Sequence, residues 1–440
     1  MKKILILGAG LVAKPLVRYL LDQPGYEVEV ASRTVSKAER LIDRHPKGTA
    51  KSLDLKNEEG LRDEIKNSDL VISMVPYTFH TKVAKYCIEY RKHMVTTSYV
   101  SAEMKSLNGK AKDAGIMILN EIGLDPGIDH MEAMRIIHEA EDKGGEITSF
   151  TSYCGGLPAP EANTNPFGYK FSWSPIGVLL AGKNSARYLK DGKIVNIASE
   201  DLFTNYVIMP IEGLGKFEGY PNRDSIPYID LYGIHSTKTM LRGTLRNLGW
   251  CETLKKIVEL GLLDQNEKDW PGYTYEKFMR GFTQDPAKVG IKNAVAARLN
   301  IDPDSEIMDR FAWLGLFNDD PVPIDKGGAI DVLAAKMVEK MSLGEGERDM
   351  IVLKHTFEAA YPGGKKERIT STLIDYGIPH GDSAMARTVG LPPAIGTKLI
   401  LEGKISNTGV HIPVQPDIYL PLLMELKKLK IGFTEKKEVL

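Results

Sequence analysis

The stretch Ile4-Leu5-Ile6-Leu7-Gly8-Ala9-Gly10-Leu11-Val12-Ala13 decides the fold of this chain. Its first four residues form an apolar run, which is typical of a strand buried on both faces of a parallel sheet. The G-x-G-x-x-A motif follows and opens a helix predicted over residues 11–21. The first glycine permits a tight turn, the second lets a pyrophosphate approach the backbone, and the small third residue allows close helix–strand packing. Because a helix N-terminus attracts phosphate, we expect a dinucleotide to bind at Gly8, Gly10, Leu11, Val12 and Ala13.

Further strand-like segments follow within the first 125 residues, and helical patterns separate several of them. Strands are predicted at residues 26–31, 49–55, 69–75, 94–98 and 116–121. Helices are predicted at residues 36–42, 78–91 and 102–114. Strands that alternate with helical crossovers predict an α/β fold with a parallel, doubly wound, Rossmann-like sheet.

The residues at the end of the second predicted strand bear on the choice between NAD and NADP. An NAD site usually places a carboxylate there to accept a hydrogen bond from the ribose 2′-OH. This chain has Ser32, Arg33 and Thr34, in which the arginine would pair with a 2′-phosphate and the hydroxyls can add hydrogen bonds. Alternatively, Arg33 is a solvated loop residue and Glu29 supplies the carboxylate from within the strand. Glu29 comes early for the carboxyl edge, so we predict NADP.

Ligands of such sheets bind outside the carboxyl ends of the strands. This rule selects further residues that follow the third, fourth, fifth and sixth predicted strands. The predicted cofactor rim consists of Asp54, Leu55, Val75, Pro76, Thr97, Leu124 and Pro126.

The composition of the 440-residue chain is that of a folded protein of about two or three domains. A formal net charge of −1 gives no electrostatic case for a nucleic-acid partner, and we expect none. The isolated cysteines Cys87, Cys154 and Cys251 argue against disulfides and structural zinc, so we expect no metal and a reducing, cytoplasmic compartment. The short apolar run at the N-terminus lacks a cleavage site, and no run approaches the roughly 20 residues of a membrane span. We therefore expect neither export nor a membrane partner.

The pattern changes after residues 124–127. A helix is predicted at 128–142 and a strand at 147–153, followed by a stretch rich in Gly, Pro and Asn at 155–175 that we expect to be a long functional loop. Strands are scarce from 248 to 343, which predicts a helical insertion with helices at 253–262 and 289–299. The remaining predicted elements are a hairpin formed by residues 350–359 and 367–376, and a helix over 383–401 whose continuity Pro392-Pro393 puts in question.

Arginines of the second half stand in a turn or beside a glycine. Arg223 lies in Pro221-Asn222-Arg223-Asp224-Ser225, and Arg242 and Arg246 flank Gly243. Each alone is more often a surface charge, but arginines presented in this way suit bidentate recognition of carboxylates. Together, beside a cofactor domain, they predict a substrate with several carboxylates.

Several blocks of the chain resemble the saccharopine dehydrogenase family, and they extend along nearly its whole length. They are the glycine motif, residues 31–34 (ASRT), 97–99 (TSY), 120–130 (NEIGLDPGIDH), 153–161 (YCGGLPAPE), 168–175 (GYKFSWSP), 220–225 (YPNRDS) and 241–246 (LRGTLR). The glycine motif is common to many folds, whereas DPGIDH and CGGLPAPE are specific. Arg33, after the second predicted strand, resembles the NADP-using, fungal-type branch of the family more than the NAD-using, degradative branch.

The resemblance implies an oxidoreductase that acts on a CH–NH group in the aminoadipate pathway of lysine metabolism. Saccharopine, NADP and water would give L-glutamate, 2-aminoadipate 6-semialdehyde and NADPH, reversibly. The three carboxylates of saccharopine agree with the arginine-rich second half. By similarity, the substrate contacts would be Ser98, Tyr99, Asp125, Arg223, Thr244, Leu245 and Arg246.

The resemblance also implies the architecture. A Rossmann-like NADP domain would take residues 1–125 and 390–440. An α/β domain with a mostly antiparallel sheet (126–247 and 347–389) would bind substrate and form a homodimer contact, and residues 248–346 would form the helical insertion.

Proton transfer needs an acid or a base near the imine, and Asp125, Tyr99 and Cys154 are the candidates. Alternatives stay open, because Asp125 can instead cap the helix predicted at 128–142 and Cys154 can be a small buried core residue. Water can also serve.

Two rival functions remain. A carboxynorspermidine-type synthase would also reduce an imine with NADPH, but its diamine partner predicts added carboxylates where this chain has Arg223 and Arg246. A non-catalytic NADP-sensing Rossmann protein would need the glycine motif but neither Tyr99 nor Asp125.

Overall fold

The computed structural model describes residues 1–283 and 289–440. Its N-terminal third alternates strands and helices. The strands are β1 (Lys2–Leu7), β2 (Tyr26–Ser32), β3 (Gly48–Ser52), β4 (Leu70–Ser73), β5 (His93–Val95) and β6 (Met117–Leu119). The helices are α1 (Ala13–Asp22), α2 (Val35–Ile42), α3 (Glu58–Lys66), α4 (His80–Tyr90), α5 (Ala102–Ser106) and α6 (Asn108–Asp113).

The rest of the chain continues with longer strands and a run of helices. Its strands are β7 (Glu146–Pro158), β8 (Ala186–Lys190), β9 (Lys193–Ile197), β10 (Val207–Ile211), β11 (Gly215–Pro221), β12 (Thr239–Arg246), β13 (Lys268–Asp269), β14 (Lys326–Gly327), β15 (Asp349–Ala360), β16 (Lys366–Tyr376), β17 (Gly409–His411) and β18 (Thr434–Val439). Its helices are α7 (Ile128–Glu141), α8 (Pro175–Ala181), α9 (Pro227–Tyr232), α10 (Trp250–Leu260), α11 (Tyr275–Arg280), α12 (Ile291–Leu299), α13 (Glu306–Leu314), α14 (Ala329–Met341), α15 (Ala384–Leu401) and α16 (Pro416–Lys428).

The first sheet has the strand order β17-β6-β5-β4-β1-β2-β3, and its strand pairs are parallel. The central part of this order is that of a doubly wound, dinucleotide-binding sheet, which confirms the predicted fold class. The seventh strand comes from the far end of the chain, since His411 of β17 pairs with Leu119 of β6. The C-terminal segment therefore returns to the first sheet, as the resemblance implied.

The second sheet has nine strands and is mixed. Its order is β10-β11-β12-β7-β15-β16-β18, and β8 pairs with both β12 and β9. The ladders of β10 with β11, β11 with β12 and β8 with β9 are antiparallel, whereas β12 runs parallel to β7. The predicted hairpin is present, because β15 and β16 are neighbours and the N–H of Tyr361 donates to the carbonyl of Lys365 at 2.8 Å.

The chain divides into two compact units. Unit 1 contains Met1–Ile147, Ala359–Glu367 and Ser371–Leu440, and unit 2 contains Thr148–Glu358 and Arg368–Thr370. The helices α10–α14 of the predicted insertion lie in unit 2, where Trp250, Phe278 and Phe311 are buried in one hydrophobic core. Residues 284–288 of that insertion lie outside the described residues. Among the described helices, none is long and apolar enough to cross a membrane.

Several local predictions need correction. The third strand ends at Ser52 and not at Leu55, α3 is not among the predicted helices, and the helix predicted at 102–114 is two short helices, α5 and α6. The polar sequence of α3 hides its helical period, but the side chain of Asn57 accepts a hydrogen bond from the N–H of Gly60 and caps it. Asn108-Gly109, with low helix propensity, begins α6.

The expected loop at 155–175 begins as a strand, because β7 continues to Pro158. A Cβ at Gly155 would lie only 2.7 Å from the carbonyl oxygen of Leu245, so this glycine allows two strands to approach closely and does not form a turn. The helix α15 is continuous through Pro392 and Pro393. Its Gly390 allows close packing on α1, since a Cβ there would lie 2.5 Å from the carbonyl oxygen of Val12.

Candidate functional site

The glycine motif of unit 1 forms an open cradle at the start of α1. Gly8 has a positive φ of 110°, and a Cβ on it would lie 2.7 Å from the carbonyl oxygen of Met74. Nothing lies within 4 Å of the Cβ position of Gly10, so its backbone faces open space. The helix begins at the buried Ala13 without a side-chain cap, which leaves its first N–H groups available to an anion. The cradle therefore fits the pyrophosphate of a dinucleotide, with Leu11 and Val12 in the turn.

The residues expected to select the cofactor follow the end of β2. The N–H of Thr34 donates to Oγ of Ser32 at 3.3 Å, and both Arg33 and Thr34 are exposed. Within residues 1–283 and 289–440, no carboxylate forms an ion pair with Arg33. The guanidinium is therefore available to a phosphate.

Glu29, the alternative ribose ligand, is bound elsewhere. Its carboxylate lies 2.9 Å from Nζ of Lys3 and is almost fully buried. Burial and a shared hydrogen bond with Glu64 raise the pKa of Glu29, and Glu64 in turn pairs with Lys51. Because this carboxylate belongs to a buried network inside the sheet, the structure does not support Glu29 as a ribose ligand.

The remaining cofactor candidates follow the carboxyl ends of the strands of unit 1, but they differ in exposure. Asp54 is exposed, and its carboxylate accepts the N–H of Lys56 at 2.9 Å, whereas Leu55, Val75 and Thr97 are half-buried and Pro76 is exposed. Leu124 and Pro126 are buried. The last two therefore offer a ligand little side-chain surface.

Tyr99 and Asp125 are brought together in unit 1. The hydroxyl of Tyr99 donates to Oδ1 of Asp125 at 3.3 Å, and Asp125 is half-buried. The alternative of Asp125 as a helix cap is wrong, because α7 begins after Gly127, whose N–H donates to Oδ1 of Asp129 at 2.6 Å. A tyrosine hydroxyl hydrogen-bonded to a carboxylate is a pair that can hold or pass a proton.

His80, which the sequence predictions omit, connects the ends of β4 and β5. Its Nδ1 lies 2.8 Å from Oγ of Ser73, and its Nε2 lies 2.8 Å from Oγ of Ser98. Burial lowers the pKa of His80 to about 4, so the ring is neutral near pH 7. The sequence signal was a polar residue opening a helix after a buried strand, but its two partners lie seven and 18 positions away.

Glu121 also holds the segment that follows β5. Its φ is 54°, and its carboxylate accepts the N–H of Val100 at 2.9 Å and contacts Nε2 of His130 at 2.9 Å. The N–H of Glu121 donates to the carbonyl of Ser98 at 3.1 Å. The backbone on both sides of Tyr99 is therefore fixed. Glu121 and His130 belong to the NEIGLDPGIDH block, but the sequence alone did not suggest this contact.

In unit 2 the strand β12 places several predicted residues on one face. Thr244 pairs in register with Cys154 of β7 and with Tyr220 of β11, so these residues form a row across three strands. Arg246 lies on the same face as Thr244 because side chains alternate along a strand. Leu245 consequently points to the opposite face, and its side chain does not share this surface. Cys154 is buried, as its core alternative required.

Arg246 is a buried cation that forms no ion pair with the residues that the structure describes. Its guanidinium lies over the rings of Tyr169 and Trp250, at 5.0 and 5.6 Å, and its Nη1 donates to the carbonyl of Leu245 at 2.8 Å. Its buried Nε has no partner among the described residues. Glu218, opposite in register, instead accepts the N–H groups of Gly249 and Cys251 at the start of α10.

Desolvation without a paired carboxylate is costly for a guanidinium. Within the described part of the chain, Arg246 forms no ion pair with an acidic residue. A ligand carboxylate would supply the missing charge and accept from the unpartnered Nε. The β12 face is therefore suited to bind a carboxylate.

The turn that carries Arg223 is attached to the same strand. The N–H of Asn222 donates to the carbonyl of Arg242, and the N–H of Arg242 donates to Oγ of Ser225 at 2.9 Å. Arg223 is exposed with a φ of 56°, whereas Arg242 is buried with its guanidinium 4.3 Å from the ring centre of Tyr228. The predicted arginine cluster therefore consists of the exposed Arg223 and the buried Arg242 and Arg246, all in unit 2.

The predicted site residues therefore fall into two groups. Unit 1 holds the cofactor candidates together with Ser98, Tyr99 and Asp125, whereas unit 2 holds Cys154 and the β12 residues. Of the three proton-transfer candidates, Tyr99 and Asp125 are in contact with each other and Cys154 lies in the other unit.

Comparison with known proteins gives full-length similarity. Residues 4–119 match the family pattern described as the saccharopine dehydrogenase NADP binding domain, and residues 123–431 match that of the saccharopine dehydrogenase C-terminal domain. The saccharopine dehydrogenase [NADP(+), L-glutamate-forming] of Saccharomyces cerevisiae is 44% identical, with 99% of each chain covered. The protein of the same name from Pyricularia oryzae is 43% identical over 100% of this chain and 99% of its own.

A solved structure and a longer relative agree with this similarity. The apo histidine-tagged saccharopine dehydrogenase (L-Glu forming) from Saccharomyces cerevisiae is 41% identical, superposes with a TM-score of 0.89 and covers 100% of both chains. The mitochondrial alpha-aminoadipic semialdehyde synthase of Rattus norvegicus is 40% identical over 100% of this chain, which spans 48% of that protein. The chain belongs to the saccharopine dehydrogenase family.

Proposed function

We propose that this chain is an NADP(H)-dependent, L-glutamate-forming saccharopine dehydrogenase. It interconverts saccharopine with L-glutamate and 2-aminoadipate 6-semialdehyde and acts on a CH–NH bond in the aminoadipate pathway of lysine metabolism. Two relatives that are named for this activity match the chain from end to end at more than 40% identity. The single structural observation that carries the proposal is Arg246, a buried cation for which the described chain supplies no counter-ion.

The cofactor is NADP(H). Gly8, Gly10, Leu11, Val12 and Ala13 would hold its pyrophosphate at the start of α1, and Ser32, Arg33 and Thr34 would hold the 2′-phosphate. The proposed rim consists of Asp54, Leu55, Val75, Pro76, Thr97, Leu124 and Pro126. When bound, the nicotinamide accepts a hydride from the substrate carbon in one direction and donates it in the other.

The reaction requires the chain to bind carboxylates and to manage protons. Oxidation of the secondary amine of saccharopine gives an imine, water adds to its carbon, and the resulting carbinolamine breaks into the aldehyde and the amine of glutamate. We assign carboxylate binding to Arg246 and Arg223. Ser98, Tyr99, Asp125, Thr244 and Leu245 complete the proposed substrate contacts.

The proton carrier is proposed to be the Tyr99–Asp125 pair, whose carboxylate can take up a proton and whose hydroxyl can donate its own proton. Cys154 stays a third candidate, next to Thr244 in register. Substitution of each residue separately tests this assignment, because loss of a proton carrier lowers kcat more than it raises KM.

The finer organisation is also a proposal. Within the two units we infer three functional domains: the cofactor domain (1–125 and 390–440), the substrate domain (126–247 and 347–389) and the helical insertion (248–346). A homodimer through the substrate domain and a cytoplasmic location are inferred from the resemblance and from the isolated cysteines. Gel filtration with light scattering would test the dimer.

Neither rival function accounts for the arrangement of the candidate residues. A diamine-using synthase predicts carboxylates beside Arg246, and the described residues pair none with it. A non-catalytic sensor gives no reason for the Tyr99–Asp125 contact.

The deciding experiment follows the absorbance of reduced nicotinamide at about 340 nm, first with saccharopine and NADP and then with saccharopine and NAD. Strong reduction of NADP with glutamate among the products is expected. Arg242→Met serves as a matched control for Arg246→Met because both arginines are buried on β12. Tight NADP binding without turnover of saccharopine would overturn the proposed substrate and favour the diamine-using rival.

A further inference from the structure

His80 is a buried titratable group that the proposed mechanism does not use. It opens α4 and is 5% exposed, so neither water nor a ligand has free access to its ring. Both ring nitrogens face hydroxyl oxygens at 2.8 Å, Nδ1 that of Ser73 and Nε2 that of Ser98. These two contacts use the full hydrogen-bonding capacity of a neutral imidazole, so any role of His80 depends on what its two partners do.

A neutral imidazole has one N–H donor and one acceptor nitrogen. Each hydroxyl beside it must therefore take the complementary role, and neither can rotate freely without losing a hydrogen bond. Ser73 is fully buried, so its hydroxyl cannot contact a ligand at the surface. Ser98, in contrast, is half-buried at the carboxyl edge of β5. Of the two serines in contact with His80, Ser98 is therefore the one whose hydroxyl orientation can matter to a ligand.

The backbone of Ser98 is already fixed without His80. Its carbonyl accepts the N–H of Glu121 at 3.1 Å, and Glu121 also binds the N–H of Val100 at 2.9 Å. What these contacts leave undetermined is the rotation of the Ser98 hydroxyl. Thr96, whose hydroxyl lies 3.4 Å from Nε2, is a more distant second contact of the same nitrogen.

We propose that His80 is a positioning residue for substrate binding, which orients the hydroxyl of Ser98 through Nε2 and holds that orientation by anchoring Nδ1 on Ser73. This inference rests on the proposed function, in which Ser98 contacts saccharopine. His80 does not touch the substrate, and it exchanges no proton with it, because both ring nitrogens are occupied by serine hydroxyls. Its contribution reaches the substrate only through Ser98.

A double-mutant cycle tests this dependence. The variants are His80→Leu, Ser98→Ala and the double variant, with His80→Gln as the conservative replacement whose amide can restore a hydrogen bond to Ser98. We expect His80→Leu to raise the KM for saccharopine about tenfold while kcat and the Kd for NADPH change less than about twofold. His80→Gln should recover most of the loss.

The decisive measurement is the KM for saccharopine of the His80→Leu substitution made in the Ser98→Ala variant. If His80 acts through Ser98, adding His80→Leu there changes the KM for saccharopine by less than about twofold. The proposal would be overturned if the KM increases of the two single variants multiplied in the double variant. It would also be overturned if His80→Leu weakened NADPH binding as much as it raises the KM for saccharopine, since either result indicates general disruption of the sheet edge. His80→Gln decides the same point if His80→Leu does not fold.

The proposed function can fail separately. Turnover of saccharopine by the unmodified protein is measured first and concerns that function alone. The contact itself is tested without substrate by the 15N NMR signals of the His80 ring, which report the tautomer of a neutral imidazole. Ser98→Ala should shift the Nε2 signal and leave Nδ1 nearly unchanged, and an unmoved Nε2 signal would overturn the positioning role.

Discussion

Arg33 in unit 1 and Arg246 in unit 2 are both assigned to an anionic ligand group, and they are built in opposite ways. Arg33 is exposed after the end of β2, where water solvates its charge until a ligand arrives. Arg246 is 5% exposed, and aromatic rings replace much of its water. The first arrangement costs little stability and gives a moderate gain on binding. The second carries a buried charge that no acidic residue of the described chain pairs with, and a bound carboxylate would return the free energy that this burial costs.

Arg246→Met should have the largest effect. Removal of the buried cation should raise the KM for saccharopine, because a desolvated carboxylate then has no partner. The increase should correspond to a loss of roughly 2–5 kcal/mol of binding free energy. Steady-state kinetics measures this loss. Urea unfolding of the same variant should show a midpoint that does not fall, since the chain no longer buries an unpaired charge.

Arg242→Met is the matched control for this comparison, since it removes the other buried arginine of β12. It should affect saccharopine less than Arg246→Met does. An unchanged KM for Arg246→Met would remove that residue from the site, and a large fall in stability would mean that its charge is compensated within the protein.

Arg33→Ala should have the next largest effect. Loss of the charge-assisted hydrogen bonds to the 2′-phosphate should weaken NADPH binding by roughly 1.5–3 kcal/mol and leave NADH binding unchanged. Fluorescence titration with both nucleotides measures the difference. Arg40→Ala, which removes an exposed arginine from the helix α2 that follows Arg33, should alter neither affinity. Equal losses for NADPH and NADH would contradict the assignment to the 2′-phosphate.

His80→Gln extends the comparison from the two charged arginines to a buried neutral side chain of unit 1. The folded state holds the pKa of His80 at about 4, below its ordinary 6.5, so the unfolded chain binds the proton more readily between these values. Acidification from pH 7 to pH 5 should therefore cost the unmodified protein about 2 kcal/mol of unfolding free energy through this group. The His80→Gln variant should lose correspondingly less in urea unfolding at the two pH values. Equal losses would mean that the ring accepts a proton in the folded protein.

Glu29→Gln should have the smallest effect on the cofactor. Because Lys3 and Glu64 engage its carboxylate, the ratio of NADPH to NADH affinity should stay within about twofold. Ser32→Asp is the informative partner variant, since it places a carboxylate at the strand edge and should repel the 2′-phosphate. A change of preference in Glu29→Gln would restore the residue as a ribose ligand.

The sequence predicted most of unit 1 because local signals and global topology agree there. The apolar run of β1, the glycines after it and the alternation of strand and helix all select one sheet. Even so, β3 and β5 are shorter than predicted, and the polar helix α3 has no visible apolar stripe. Element ends depend on capping contacts, such as Asn57 with Gly60, that composition does not reveal.

The site was only partly predictable, for a different reason. Arg33 and Arg246 could be selected as candidates because the residue type alone limits their chemistry. His80 and Glu121 could not, since their partners lie at Ser73, Ser98 and Val100, and only the sheet brings these segments together. Gly155 misled the prediction because glycine serves turns and close strand contacts alike, and the neighbour that decides between them is Leu245.

The seventh strand of the first sheet has a consequence for the order in which the chain is made. Strand β17 pairs with β6, although about 290 residues separate them. At roughly 5–20 residues per second, a ribosome needs on the order of 15–60 seconds to reach β17 after it has finished β6. During that interval β6 is an unpaired sheet edge, the kind of surface that captures other strands. The nascent N-terminal part of the chain is therefore expected to expose this edge until its C-terminal strand has been made.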